Sequence, residues 1–195
     1  MKRFFIIIAT FGFLIGCKTT KTGNLKVEIV TEFGEIEMEL YPQQAPKSVA
    51  AFLSYVESGF YNRTSFYRVL NQENQPMGAA EAALIQGGLW ANKEKKQDPV
   101  ATIEHETTKQ TGLLHQDGTV SMARGAPGTA STEFFICIGD QPGFDFGGGN
   151  NSDNQGYAAF GKVTKGMDVV RKIHHQPVDG ELFISPVFIK EINLL

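Results

Sequence analysis

From Leu25 onward the chain opens with two stretches of strict alternation. Val27, Ile29 and Thr31 alternate with Lys26 and Glu28, and Ile36, Met38 and Leu40 alternate with Glu35, Glu37 and Glu39, with Phe33-Gly34 between the runs. A period of two with one apolar and one charged face predicts two antiparallel strands joined by a tight turn. The period then changes. Pro46 stands where a first helical turn tolerates it, and Val49, Phe52, Leu53 and Val56 follow at i, i+3, i+4 and i+7 until Gly59 ends the pattern, which predicts a helix. Short apolar runs predict further strands at Ser65 to Leu70, Ala82 to Gln86, Thr119 to Ala123, Glu133 to Ile138, Ala158 to Val163 and Pro186 to Leu195. A second helix is predicted from Met167 to His174, with Val170 and Ile173 inward and two histidines near its C-terminal end. About eight strands and two helices without βαβ alternation favour a mainly β fold, an antiparallel barrel or sandwich with helices over its ends.

The first residues follow other rules. Met1-Lys2-Arg3 is a basic head, and residues 4–15 are apolar apart from Thr10 and Gly12. As a helix this run rises only about 18 Å, against a hydrocarbon core of roughly 30 Å, so it reads as a secretory signal peptide rather than a span. Its ending, Leu14-Ile15-Gly16-Cys17, resembles the bacterial lipobox. That resemblance implies a signal peptide over 1–16, lipidation of Cys17, and a location in the bacterial cell envelope, facing the periplasm or exterior. Residues 17–24 then form the anchor and a polar linker, and 25–195 a single domain. Loss of Lys2 and Arg3 takes the formal charge from -3 to -5, so no basic field invites nucleic acid. With 2 cysteines in all, a lipidated Cys17 leaves Cys137 alone in Phe134-Phe135-Ile136-Cys137-Ile138, a buried thiol rather than a nucleophile.

Five segments occur in a telling order: Phe66-Tyr67-Arg68-Val69-Leu70, Leu84-Ile85-Gln86-Gly87-Gly88, Ser121 through Ile136, Ala159-Phe160-Gly161-Lys162-Val163, and Gly166-Met167-Asp168-Val169-Val170. Together, over roughly Leu25 to Leu195, they closely resemble the cyclophilins, peptidyl-prolyl cis/trans isomerases. The resemblance implies a closed eight-stranded antiparallel β-barrel capped by two α-helices. It places the catalytic arginine at Arg68 and the partner glutamine at Gln86. Phe135 would floor a proline pocket walled by Leu84 and closed by Phe144, Ala123-Arg124-Gly125 would lie along the substrate backbone, and Tyr157 would stand where a histidine is frequent. Three departures stand out. Ala83 replaces the family's usual Phe after an insert, Asn71 to Ala80, so one wall is either missing or supplied by that insert. Glu133 replaces the usual Gln with an anion that only accepts hydrogen bonds, and beside Arg68 it would either orient the guanidinium or hold it away from substrate. The position where many eukaryotic members carry Trp falls near Gly143, so the resemblance does not imply tight cyclosporin binding.

The residue types suit the reaction. A prolyl bond turns against about 18 to 20 kcal/mol because its nitrogen shares a lone pair with the carbonyl. No bond breaks, so the reaction needs an apolar slot for the ring and a donor toward the nitrogen as its lone pair localises. An arginine never loses its proton and fits the donor. No cofactor or metal is required; His105 and His115 lack a zinc ligand pattern, and Ser121 shows no ordered His and Asp around it. The expected function is Xaa-Pro isomerisation in exported proteins by a monomer. The alternative is a cyclophilin-like module that binds proline peptides with weak chemistry, which Glu133 and Ala83 favour.

Overall fold

The computed structural model describes residues 24–75, 78, 81–92 and 100–195. The predicted signal peptide, the lipidated Cys17 and residues 18–23 of the linker lie outside these residues. The two alternating runs form β1 (Leu25–Thr31) and β2 (Gly34–Leu40), paired antiparallel with Ile29 opposite Ile36 and Val27 opposite Met38. That register puts all the apolar members on one face, where they are fully buried.

The other strands are β3 (Thr64–Leu70), β4 (Leu84–Gly88), β5 (Thr119–Met122), β6 (Phe134–Cys137), β7 (Ala158–Lys165), β8 (Val178–Asp179) and β9 (Leu182–Leu194). They pair in the order β1-β2-β7-β5-β6-β4-β3-β9, and β9 pairs back onto β1, which closes an eight-stranded antiparallel barrel; β8 adds to β9 from outside. Closure leaves the barrel strands without open edges. Helix α1 (Pro46–Glu57) drives Phe52 into the core, its ring 5.2 Å from Tyr61, 5.5 Å from Phe134 and 5.1 Å from Phe160. A single turn, α2 (Thr108–Thr111), follows later, and α3 (Met167–His174) buries Val170 and Ile173.

The barrel and the two longer helices match expectation, while the differences have local causes. The start of α1 is capped by a residue far away in sequence: Glu106 accepts from Lys47 N at 3.0 Å, Ser48 N at 2.8 Å and Ser48 Oγ at 2.7 Å. Its charge suits the positive end of the helix. Strand β9 begins at Leu182 rather than Pro186, because its register with β3 jumps between Val187 (opposite Phe66) and Leu182 (opposite Arg68). Pro186, which has no N–H to give, falls within that irregularity and so does not end the strand.

Candidate active site

Alternation along the strands also builds an outer face. Phe134 and Ile136 enter the barrel core, so Phe135 and Cys137 face outward. In the register Phe135 lies opposite Gln86 on one side and Ser121 on the other, and Leu84 lies opposite Cys137. Leu70, Ala82, Leu84, Phe135, Cys137 and Phe144 form a second buried apolar cluster, with Ala123 and Tyr157 packed on it. Phe144 is delivered by a one-turn 3₁₀ helix, Pro142–Phe144. The rings of Phe135, Phe144 and Tyr157 meet edge to face, 5.4 Å, 5.2 Å and 5.3 Å apart. Burial pushes the Cys137 thiol far above its ordinary range, as suits an inert packing residue.

This cluster floors a groove of about 500 Å³ lined by all ten residues singled out from the sequence: Arg68, Leu84, Gln86, Ala123, Arg124, Gly125, Glu133, Phe135, Phe144 and Tyr157. Leu70, Tyr67, Trp90 and Leu182 also line it. Ala83 does not; it faces a separate cavity with Gln72 and His174. Neither do the described residues of the insert, where Asn74 and Gln75 bond back to the main chain of Val69, Asn71 and Ala82. Among the described residues, Leu70 extends the apolar wall there.

Two adjacent residues of β3 face the groove, which strict alternation forbids. Phe66 pairs with Gly87 but Arg68 pairs with Gln86, so Tyr67 is the extra residue of a β-bulge and turns to the same side as Arg68. The Arg68 guanidinium is held from two directions. Its Nη1 donates to Gln86 Oε1 at 2.8 Å, while Nε and Nη2 donate to Glu181 Oε2 at 2.9 and 2.8 Å. Glu181 escaped the sequence reading. Asp179-Gly180-Glu181-Leu182 reads as an ordinary turn, and only the β8–β9 hairpin, fixed by Val69 N donating to Glu181 O at 2.8 Å, brings that carboxylate to Arg68.

Glu133 does not touch Arg68. Its Oε2 accepts from the Tyr67 hydroxyl at 2.6 Å, and its Oε1 accepts from Leu89 N at 2.8 Å, Trp90 N at 3.0 Å and Thr132 Oγ1 at 3.1 Å. Gln86 Nε2 donates to the Tyr67 oxygen at 2.7 Å. A continuous chain therefore runs Glu133, Tyr67, Gln86, Arg68, Glu181. Each link has a fixed sense, because a carboxylate only accepts and a guanidinium only donates. Burial raises the Glu133 carboxyl above its ordinary value, opposed by these hydrogen bonds, and burial beside Glu133 raises the Tyr67 phenol strongly. Gly88 makes room for the carboxylate: it has φ +146°, and a Cβ there would sit 2.5 Å from Glu133 Oε2.

Arg124 was expected on the strip beside the substrate backbone. The strip lines the groove, but the Arg124 guanidinium is committed elsewhere, with its side chain 1% exposed. It donates to both Asp153 oxygens at 2.8 and 2.9 Å and to Gly156 O at 2.9 and 2.6 Å, and lies 5.4 Å from the centre of the Tyr157 ring. This pairing holds the Asp153 carboxyl down at about 2. Arg124 thus braces the loop that carries Tyr157.

Behind the apolar floor lies an arrangement the sequence reading discounted. His115 Nδ1 is 2.7 Å from Asp145 Oδ1 and its Nε2 is 3.0 Å from Ser121 Oγ. The carboxylate requires a proton on Nδ1, so a neutral ring leaves Nε2 to accept the Ser121 hydroxyl. Ser121 is 0% and His115 1% exposed, so no substrate reaches this Ser-His-Asp set. It joins the Phe144-Asp145 loop to β5, with the His115 ring 6.1 Å from Phe135 and 5.8 Å from Phe144. Replacing His115 by Ala is expected to lower stability by about 2 kcal/mol in denaturant unfolding, since Asp145 and Ser121 lose a buried partner. It should also raise KM severalfold for a proline peptide, with a smaller change in kcat.

Among the described residues no group of three or more His, Cys, Asp and Glu side chains is arranged to hold a metal ion. The family model described as cyclophilin type peptidyl-prolyl cis-trans isomerase matches residues 26–194. A peptidyl-prolyl cis-trans isomerase of Acinetobacter baylyi is 39% identical over 178 residues, 91% of this chain and 84% of that one. Peptidyl-prolyl cis-trans isomerase B of Escherichia coli is 36% identical over 144 residues, 73% of this chain and 80% of its own. In three dimensions a Cryptosporidium parvum cyclophilin type isomerase, solved in the presence of the dipeptide Ala-Pro, superposes with a TM-score of 0.69 at 24% identity, over 87% of this chain and 98% of that one. With the family match running from the first barrel strand to the last, the chain belongs to the cyclophilin-type peptidyl-prolyl cis-trans isomerases.

Proposed function

We propose that the groove seats a proline ring against Phe135, Leu84, Phe144 and Tyr157, and that Arg68 donates a hydrogen bond toward the imide nitrogen as the bond twists. The observation that carries this reading is the state of the guanidinium at the edge of the apolar pocket. Gln86 and Glu181 take three of its N–H groups and fix its plane, which leaves one on each terminal nitrogen. A fixed donor that meets the lone pair only when conjugation is broken stabilises the transition state selectively, without reorganising. About 5 to 7 kcal/mol of such stabilisation turns tens of seconds into milliseconds. The strip Ala123-Arg124-Gly125 contributes main chain alongside the substrate.

The Arg68–Glu181 ion pair is the observation that favours the other reading, a binding module with weak chemistry, because the carboxylate competes for the donor. Cis–trans relaxation of a short Xaa-Pro peptide, followed by NMR exchange with the full chain, separates the two. Acceleration at substoichiometric protein is expected. Peptide binding with relaxation left at its spontaneous rate supports the module instead.

The same reading places the enzyme in a bacterial envelope, anchored by lipid on Cys17 after removal of residues 1–16, and acting on prolines of exported chains. The motif Leu14-Ile15-Gly16-Cys17 after a short apolar run supports it, since an acyl anchor with two or more chains binds membranes stably. Cys17→Ser is expected to move the protein from the membrane pellet to the soluble fraction; pelleting that persists contradicts the anchor.

A further inference from the structure

The groove has apolar lining besides the ring pocket: Tyr67, Trp90 and Leu182 line it together with Arg68. Trp90 is 51% and Leu182 43% exposed, large for apolar side chains on the wall of a cavity. Trp90 packs on Tyr67, ring centres 5.1 Å apart at 31°. Its position is built in from below: Leu89 N and Trp90 N both donate to Glu133 Oε1, and Tyr67 donates to Glu133 Oε2. One half-buried carboxylate thus pins both the main chain under the indole and the phenol beside it. Leu182 is placed from the other side by its pairing with Arg68. Among the described residues, the two groove guanidiniums both have carboxylate partners, Glu181 for Arg68 and Asp153 for Arg124.

We propose that Trp90, braced on Tyr67 in a groove that Leu182 also lines, is a second subsite that selects an aromatic or bulky aliphatic side chain flanking the proline. The proposal rests on the isomerase reading of the same groove. An extended segment advances about 3.3 Å per residue, so once its proline is seated in the pocket its neighbours are carried along the groove past Arg68. A flat side chain set on the indole gains apolar contact and ring–ring attraction, whereas glycine gains neither.

The test uses two series of Xaa-Pro peptides in which the residue before or after the proline is Gly, Ala, Leu or Phe. For the full chain, kcat/KM in one series is expected to rise about tenfold from Gly to Phe. Trp90→Ala should bring that ratio close to one and Trp90→Phe should keep most of it. Trp90 is the chain's single tryptophan, so its fluorescence should change on binding the Phe peptide and stay nearly constant with the Gly peptide. A Phe-to-Gly ratio near one in both series, or a ratio that survives Trp90→Ala, overturns the subsite. Failure of the full chain to isomerise any peptide, the Gly peptides included, overturns the isomerase reading instead, which keeps the two failures distinct.

Discussion

Replacing Arg68 by Ala is expected to lower kcat/KM for proline-peptide isomerisation by about 100- to 1,000-fold, the usual effect of removing a preorganised donor from a transition state. Stability should change by less than about 1 kcal/mol. The Arg68 side chain is 30% and its partner Glu181 40% exposed, so Glu181 regains water when the pair is broken. Gln86 keeps its bond to Tyr67. Arg68→Lys should lose nearly as much activity. An ammonium is a compact point charge, and it cannot bond Gln86 and Glu181 from a rigid plane while offering further N–H groups at set angles. Glu181→Gln tests the other side of the same geometry: the ion pair goes, an acceptor remains, and the loss should be only a fewfold. Unchanged kinetics in Arg68→Ala, with unfolding also unchanged, would remove Arg68 from the mechanism and leave the groove as a binding surface.

The strands and helices were legible because they are written in short-range pattern, which left barrel or sandwich open; closure into a barrel followed only from the resemblance. Alternation at Val27–Thr31 and Ile36–Leu40 and the i, i+3, i+4, i+7 spacing from Val49 need no knowledge of distant contacts. The lining of the groove was legible from the ordered motifs, since Phe135, Gln86 and Leu84 face one way as soon as the strands pair in register. What escaped depends on departures from regularity or on long-range return of the chain. The bulge at Tyr67 turns two consecutive residues to one face, and nothing in Phe66-Tyr67-Arg68-Val69 announces it. Glu181 reaches Arg68 across 113 positions, and Glu106 reaches the start of α1 across 58. Among His115, Ser121 and Asp145, only the fold brings the three together, with Ser121 and His115 buried. The placement of Glu133 followed the same rule. From the sequence, Glu133 beside Arg68 would either orient the guanidinium or hold it away; in the fold its acceptor oxygens are taken instead by Tyr67, Thr132 and the turn after β4.

That placement makes Glu133 the residue whose protonation should separate activity from stability. With Glu133 ionised, Tyr67 must donate to it, Gln86 must donate to Tyr67, and the Gln86 oxygen is left facing Arg68. A protonated Glu133, or Gln in its place, can donate to the Tyr67 oxygen. The phenol proton then turns to Gln86, whose amide flips and presents NH₂ to the guanidinium, donor against donor. Glu133→Gln is therefore expected to lower kcat/KM about tenfold at neutral pH, and to do so far less in a Tyr67→Phe background, where the relay is already cut. Glu133→Leu, which strands the Leu89 and Trp90 N–H groups and the Tyr67 hydroxyl, should cost about 3 kcal/mol of stability. In the parent protein the carboxyl titrates above its ordinary 4.5 because burial disfavours its charge. Between that raised value and 4.5 the folded chain holds a proton that the unfolded chain has released. The Glu133 contribution to stability therefore increases as the pH falls through this window, contrary to an ion-paired carboxylate. Activity should fall over the same window as the relay reverses. Plotting the difference between parent and Glu133→Gln isolates the group: kcat/KM of the variant should lack that acidic limb, and the stability difference should shift in the parent's favour on acidification. A limb that persists in the variant would belong to another group, and the relay would then have no part in holding Arg68 to its task.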